Sequence, residues 1–189
     1  MTSADGLTST DISGMGSSKE ALATAIGSRL PSGMKIPIGS AKANVGHTLE
    51  AANATAEGIR SAGSEADLIP AQAFAPAQLA GYDALIVASP CWAGSVGRPV
   101  LAPPIERALT ALSTEALLEV RCGGISVHSG IGGDATVQYI GEILAQKGCT
   151  DYRSGPAARA GVPFSLWKGP SVSSQDKVRF EAYGTAFVV

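Results

Sequence analysis

The sequence predicts a doubly wound α/β domain: a parallel sheet covered by helices on both faces. Three observations carry that prediction. Strand-like and helix-like stretches alternate from Met34 to Val189, and such alternation selects parallel strands joined through helices. The clearest strand, "DALIVAS" at 83–89, has an unbroken apolar run and then a polar end, as expected of a strand buried on both faces. A chain of 189 residues is long enough to bury a sizeable core in one domain.

Residues 1–16, rich in Ser, Thr, Gly and Asp, read as loosely tethered chain. "SSKEALATAIGSRLP" reads as a short helix. Ser17 and Glu20 have capping-box spacing, Leu22, Ile26 and Leu30 form one apolar stripe, and Pro31 ends it. Residues 1–33 are therefore expected to be a flexible extension, and 34–189 the folded domain. "MKIPIG" is the first strand, although Pro37 argues against a central place in the sheet. Thr48 is the expected N-cap of a helix whose Leu49, Ala52, Ala56 and Ile59 fall at helical spacing, with Gly63 as the stop.

"ADLIPA" supplies the second strand and "PAQLAG" a short helix. After "DALIVAS", "PPIERALTALS" is a helix with prolines in its first turn and Ile105, Leu109 and Leu112 on one face. "GGISVHS" is the fourth strand. "DATVQYIGEILAQKG" is a helix with Val137, Ile140, Ile143 and Leu144 inward and Gly148 just past its end. "VPFSLWK" is the expected fifth strand, with Trp167 in the core, and "SSQDKVRFEAYGTAFV" a closing helix.

Composition removes several function classes. The formal net charge is -2, too near neutral to attract nucleic acid or a membrane surface. No apolar run approaches bilayer length, and the first residues lack the basic and apolar regions of a secretory leader. Three cysteines (Cys91, Cys122 and Cys149) without metal-ligand spacing read as reduced thiols of a cytoplasmic protein. Two histidines are too few for a histidine-rich metal site, and no metal ligands are assigned.

In such a domain the loops after the strands gather at one edge of the sheet, where ligands bind. The first, "GSAKANVGHT", brings Ser40, Lys42, Asn44, Gly46, His47 and Thr48 to a helix N-terminus. Unpaired N–H groups and the helix dipole favour an anion there, with Lys42 as a possible point charge. His47 reads either as a phosphate contact or as a solvated loop histidine. The second, "SPCWAGSVGRP", carries Ser89, Pro90, Cys91, Trp92, Ala93 and Gly94. Trp92 either caps the core or offers its face to a planar ring. The third, "HSGIGGDAT", carries His128, Ser129, Gly130, Gly132 and Gly133, with Asp134 as a cap for the next helix. An anion cradle, an aromatic and a glycine-rich wall together suit a phosphorylated planar cofactor.

From Met34 to Val189 the chain resembles the flavodoxin-like family. "EGIRSAG", "ADLIP", "LAGYDALIVASP", "WAGS", "SGIGG" and "TVQYIGEILAQKG" occur in that family's order. The resemblance implies a five-stranded parallel sheet of order 2-1-3-4-5 and non-covalent flavin mononucleotide (FMN). It implies phosphate contacts at Ser40, Gly46, His47 and Thr48. The ring would lie by Pro90 to Gly94, with Ser129, Gly130 and Gly132 along its other edge. It further implies an electron carrier, or alternatively a flavin-dependent reductase, working with a redox partner protein or a pyridine nucleotide. The phosphate loop is longer than the family's Ser/Thr-x-Thr-Gly-x-Thr, so a cofactor-free interaction module is the second reading. Locally, "KANVGH" (Lys42 to His47) also resembles a segment of β-ketoacyl synthases. The nucleophilic cysteine and second histidine of that chemistry are missing upstream of Lys42.

Overall fold

Why the predicted strands pair as they do follows from which faces they must bury. The computed structural model describes residues 35–40, 46–93, 99–162 and 169–189. The expected tail and helix of residues 1–33, Lys42, Asn44, Gly94 and Trp167 lie outside them. Strands β1 (Lys35–Ser40), β2 (Glu65–Pro70), β3 (Ala84–Pro90), β4 (Arg121–His128) and β5 (Asp151–Arg159) form one sheet. Its order is β2-β1-β3-β4-β5, and every pairing is parallel.

Helices α1 (His47–Ser61), α2 (Pro103–Thr110), α3 (Gly133–Gln146) and α4 (Ser174–Phe187) cover the sheet. Alternation along β3 and β4 assigns the faces. Leu85, Val87 and Cys122 join Ile105, Leu109, Ile140 and Leu144, from α2 and α3, in one apolar cluster. On the other face, a side chain at Gly123 would strike Tyr183 and Phe187 of α4. All seven residues of β3 are buried, as its apolar run predicts.

Three expectations are corrected. Pro37 does lie in a strand flanked on both sides, but the ladder to β3 begins only at Ile38, one residue beyond it. Helix α1 starts at His47 with Gly46 as its N-cap, two residues before the expected Thr48. Gly46 adopts a φ of 126°, which a residue with a Cβ resists, so the chain can turn into the helix earlier there. The fifth strand is Asp151–Arg159 rather than "VPFSLWK", most of which lies outside the described residues. Gly155 and Pro156 interrupt any strand pattern in that segment. A register shift between Gly124 and Ser126 accommodates them at the sheet edge.

Candidate functional site

Because the strands are parallel, Ser40, Pro90, His128 and Arg159 all end at one edge of the sheet. Ser40 is in register with Ala88, and Pro90 with Val127. The loops after β1, β3 and β4 therefore leave from adjacent points.

At the first loop the mouth of α1 has no side-chain cap among the described residues, and the N–H groups and dipole of a helix start favour an anion. His47 is not solvated, as one reading of the loop had it: its residue is 7% exposed. Its Nδ1 lies 2.8 Å from Glu50 Oε1, one turn along the same helix. Glu50 also reaches across to α4, where Lys177 Nζ lies 3.4 Å from its Oε2. Burial tends to raise the Glu50 pKa, but the hydrogen bonds and charges of His47 and Lys177 outweigh it and hold the carboxyl below its ordinary range. His47 Nε2 is shielded from water and has no hydrogen-bond partner among the described residues. Thr48 is half-buried in the first turn.

The second loop begins with its polar group already committed. Ser89 is fully buried; its hydroxyl donates to Pro90 O and accepts from the Ala102 N–H. Pro90 is buried too. Both help to set the start of the loop. Trp92 is 42% exposed in a two-residue antiparallel ladder, Trp92–Ala93 against Pro99–Val100. That ladder, absent from the sequence reading, holds the indole at the rim.

In the third loop Gly132, not Asp134, is the N-cap of α3, in the left-handed region at φ 93°. Its carbonyl accepts from the N–H and hydroxyl of Thr136, while Asp134 stands exposed in the first turn. His128 Nδ1 lies 2.9 Å from Gly130 O, and a side chain at Gly133 would strike the His128 ring. His128 is thus the prop beneath the loop. Ser129 is half-buried and Gly130 exposed.

Second and third loops touch. Cys91 N–H donates to Val127 O at 2.9 Å, and its thiol to Ile131 O at 3.5 Å. Ile131, between two glycines, is 89% exposed. Sequence reading passed over it, although an apolar residue at a glycine-rich tip is a legible sign of an unmet apolar contact. It also passed over Glu50, signalled only by its three-residue offset from His47, and Lys177, which nothing in the sequence ties to this edge.

Comparison with solved structures decides the fold. Flavodoxin 1 of Bacillus cereus superposes with a TM-score of 0.63 at 18% identity, covering 82% of this chain and 97% of that one. Flavodoxin 2 of the same organism gives 0.64 at 19% identity, with 81% and 97% covered. The two-electron reduced flavodoxin of Megasphaera elsdenii gives 0.60 at 15% identity, with 81% and 98% covered. The fold is flavodoxin-like. No protein-family model and no curated protein sequence matches the chain. The likeness of Lys42 to His47 to β-ketoacyl synthases does not extend to this flavodoxin-like fold. Among the described residues no helix is long and apolar enough to cross a membrane, and no group of three or more His, Cys, Asp or Glu is placed to hold a metal ion.

Proposed function

We propose that this flavodoxin-like domain binds FMN at the edge formed by the ends of β1, β3 and β4 and acts as an electron carrier. The observation that carries the reading is the meeting of the Cys91 and Ile131 loops at the sheet edge where α1 begins, its start without a side-chain cap among the described residues. The residues present suit the group: a buried imidazole nitrogen at the helix start, without a partner among the described residues, suits a phosphate. Exposed Trp92 and Ile131 suit an apolar ring. Gly46, His47 and Thr48 would hold the phosphate, joined by Ser40, Lys42 and Asn44 on the preceding segment. Cys91, Trp92, Ala93 and Gly94 would meet the ring on one side, and Ser129 to Gly133 on the other.

FMN supplies one- or two-electron storage when bound. The chain's contribution is positional: Trp92 excludes water from the ring. An apolar wall disfavours the anionic reduced form and lowers the potential. Titration of the purified protein with FMN tests this reading. Quenched flavin fluorescence and a shifted visible spectrum are expected; a chain that leaves added FMN unchanged refutes it. Reduction of bound FMN by a pyridine nucleotide without a second protein would make the domain a reductase instead of a carrier. The exposed Trp92 and Ile131 also favour a second reading, a cofactor-free module whose apolar rim docks a protein, and a colourless chain that ignores FMN supports it.

A further inference from the structure

The end of the sheet opposite the candidate site, where the strands begin, carries an open groove that the flavin reading does not use. It runs between the turn at Pro76–Gly81 and the stretch after α2, with Leu79, Tyr82, Ala111, Ala116 and Val120 among its walls and a volume of about 570 Å³. The Tyr82 hydroxyl donates to Asp67 Oδ2 at 3.0 Å, which leaves mainly the ring for the groove. Leu118, between two wall residues, is 54% exposed. The next residue, Glu119, has φ 63°, in the left-handed region that a side chain resists. Val120 N–H donates to Leu117 O and closes this turn. A strained turn that holds a leucine out beside an apolar groove points to a use other than stability.

Charge says what the groove would take. Asp67 bonds to a wall residue, and Asp83, Glu115 and Glu119 each adjoin one in sequence; all four are exposed. Among the described residues the nearby Lys35 and Arg121 are paired, with Glu65 and Asp151. Lys147 is drawn to the Thr110 and Leu112 carbonyls. Arg107, one turn up α2 from Ala111, and Lys147 do not offset four carboxylates. We propose that this groove docks a basic amphipathic helix of a partner protein. Apolar side chains on one helix face enter the groove, and lysines or arginines at its margins meet the carboxylates. A strand would not serve, because the groove lies along turns and has no ladder edge to extend. β3 is seven residues long, which puts about 20 Å between the two ends of the sheet. The docked helix therefore tethers the domain and leaves the cofactor edge open.

The test uses the full chain and two synthetic helical peptides, one of leucine and lysine and one of leucine and glutamate. The lysine peptide should shift the amide NMR signals of Leu79, Tyr82, Ala116 and Val120 and leave those of Cys91, Trp92 and Ile131 unmoved. Its affinity should fall about tenfold when salt rises from about 0.05 to 0.3 M. A similar loss, about tenfold, is expected in Ala111→Arg, which puts bulk and a like charge into the groove at an exposed position. Glu57→Lys, exposed on α1, controls for net charge and should change affinity less than about twofold. No shift, equal affinity for the two peptides, shifts centred on Trp92 and Ile131, or unchanged binding by Ala111→Arg overturns the proposal. So does a dimer in sedimentation whose groove signals ignore the peptide, since a second copy then fills the groove. FMN affinity should be the same with and without the peptide, so a failure of the flavin reading leaves this proposal to stand or fall on the peptide alone.

Discussion

Replacing Gly184 by alanine would force apart the two helices that set the mouth of α1. A Cβ there would meet Thr55 O, with Ile59 N at 3.0 Å and Thr55 C at 3.1 Å. All three are α1 backbone, so no flexible side chain can yield. From the facing helix Gly58 does the same, lying against the Glu181 carbonyl of α4 with its C at 2.8 Å and Cα at 3.0 Å. To restore ordinary contact the helices must part by about an ångström, against close-packed side chains. Ile59, Phe180 and Phe187, all essentially inaccessible, would lose contact on the way. Overpacking of this kind costs about 1–3 kcal/mol. Helix propensity works in the other direction and returns up to about 1 kcal/mol for Gly→Ala. The clash wins, leaving a net loss of about 1–2 kcal/mol. For a chain of this size that lowers Tm by roughly 2–8 °C. Urea unfolding followed by circular dichroism measures it. Gly81→Ala is the control, because nothing lies within 4 Å of a Cβ there, and it should stay within about 0.5 kcal/mol of the parent. A Gly184→Ala protein as stable as the parent, or more so, would refute the packing argument.

Trp92→Ala should weaken FMN binding by about 1–3 kcal/mol through lost stacking and burial; flavin fluorescence titration checks this, and unchanged affinity would remove Trp92 from the pocket. A thiol reagent should modify Cys91 quickly in the native protein. Cys122 and Cys149, which are buried, should react only on unfolding; burial, and contact with Cys149, also push the Cys122 thiol well up. Glu50→Gln probes acid stability. Because the folded carboxyl titrates below its ordinary value, its stabilisation is present above the unfolded pKa of about 4.3 and is lost as pH falls through the folded one. Parent and variant should therefore differ by up to about 1 kcal/mol at pH 6 and converge near pH 3, as read by urea midpoints at the two pH values.

What the sequence disclosed follows apolar periodicity. β3, α2 and α3 announce themselves because each buries a regular stripe, and the sheet order follows from a resemblance that the coordinates bear out. β5 did not, because Ser154, Gly155 and Pro156 interrupt it. Only the structure shows that Gly155 lies over the Gly124 carbonyl at 2.6 Å from where a Cβ would stand, a fit that needs the missing side chain. The site loops were legible as loops by their glycines and their places after strands. The state of His47 was not, since its burial and its partnered nitrogen depend on Glu50 and on Lys177 of the last helix. Ser89, legible as a polar residue at the right edge, turns its hydroxyl inward to the Ala102 N–H, a bond no local pattern signals.

The margins of the sheet have a consequence for how copies of this chain behave together. β2 and β5 are the outer strands. The first ends on Pro70 and carries Glu65 and Asp67, and the second holds Pro156 among Asp151, Arg153 and Arg159. A stranger's backbone approaching either border meets an interrupted ladder and fixed charge where it would need free N–H and C=O groups. Crowding many molecules together therefore offers little template for fibril growth.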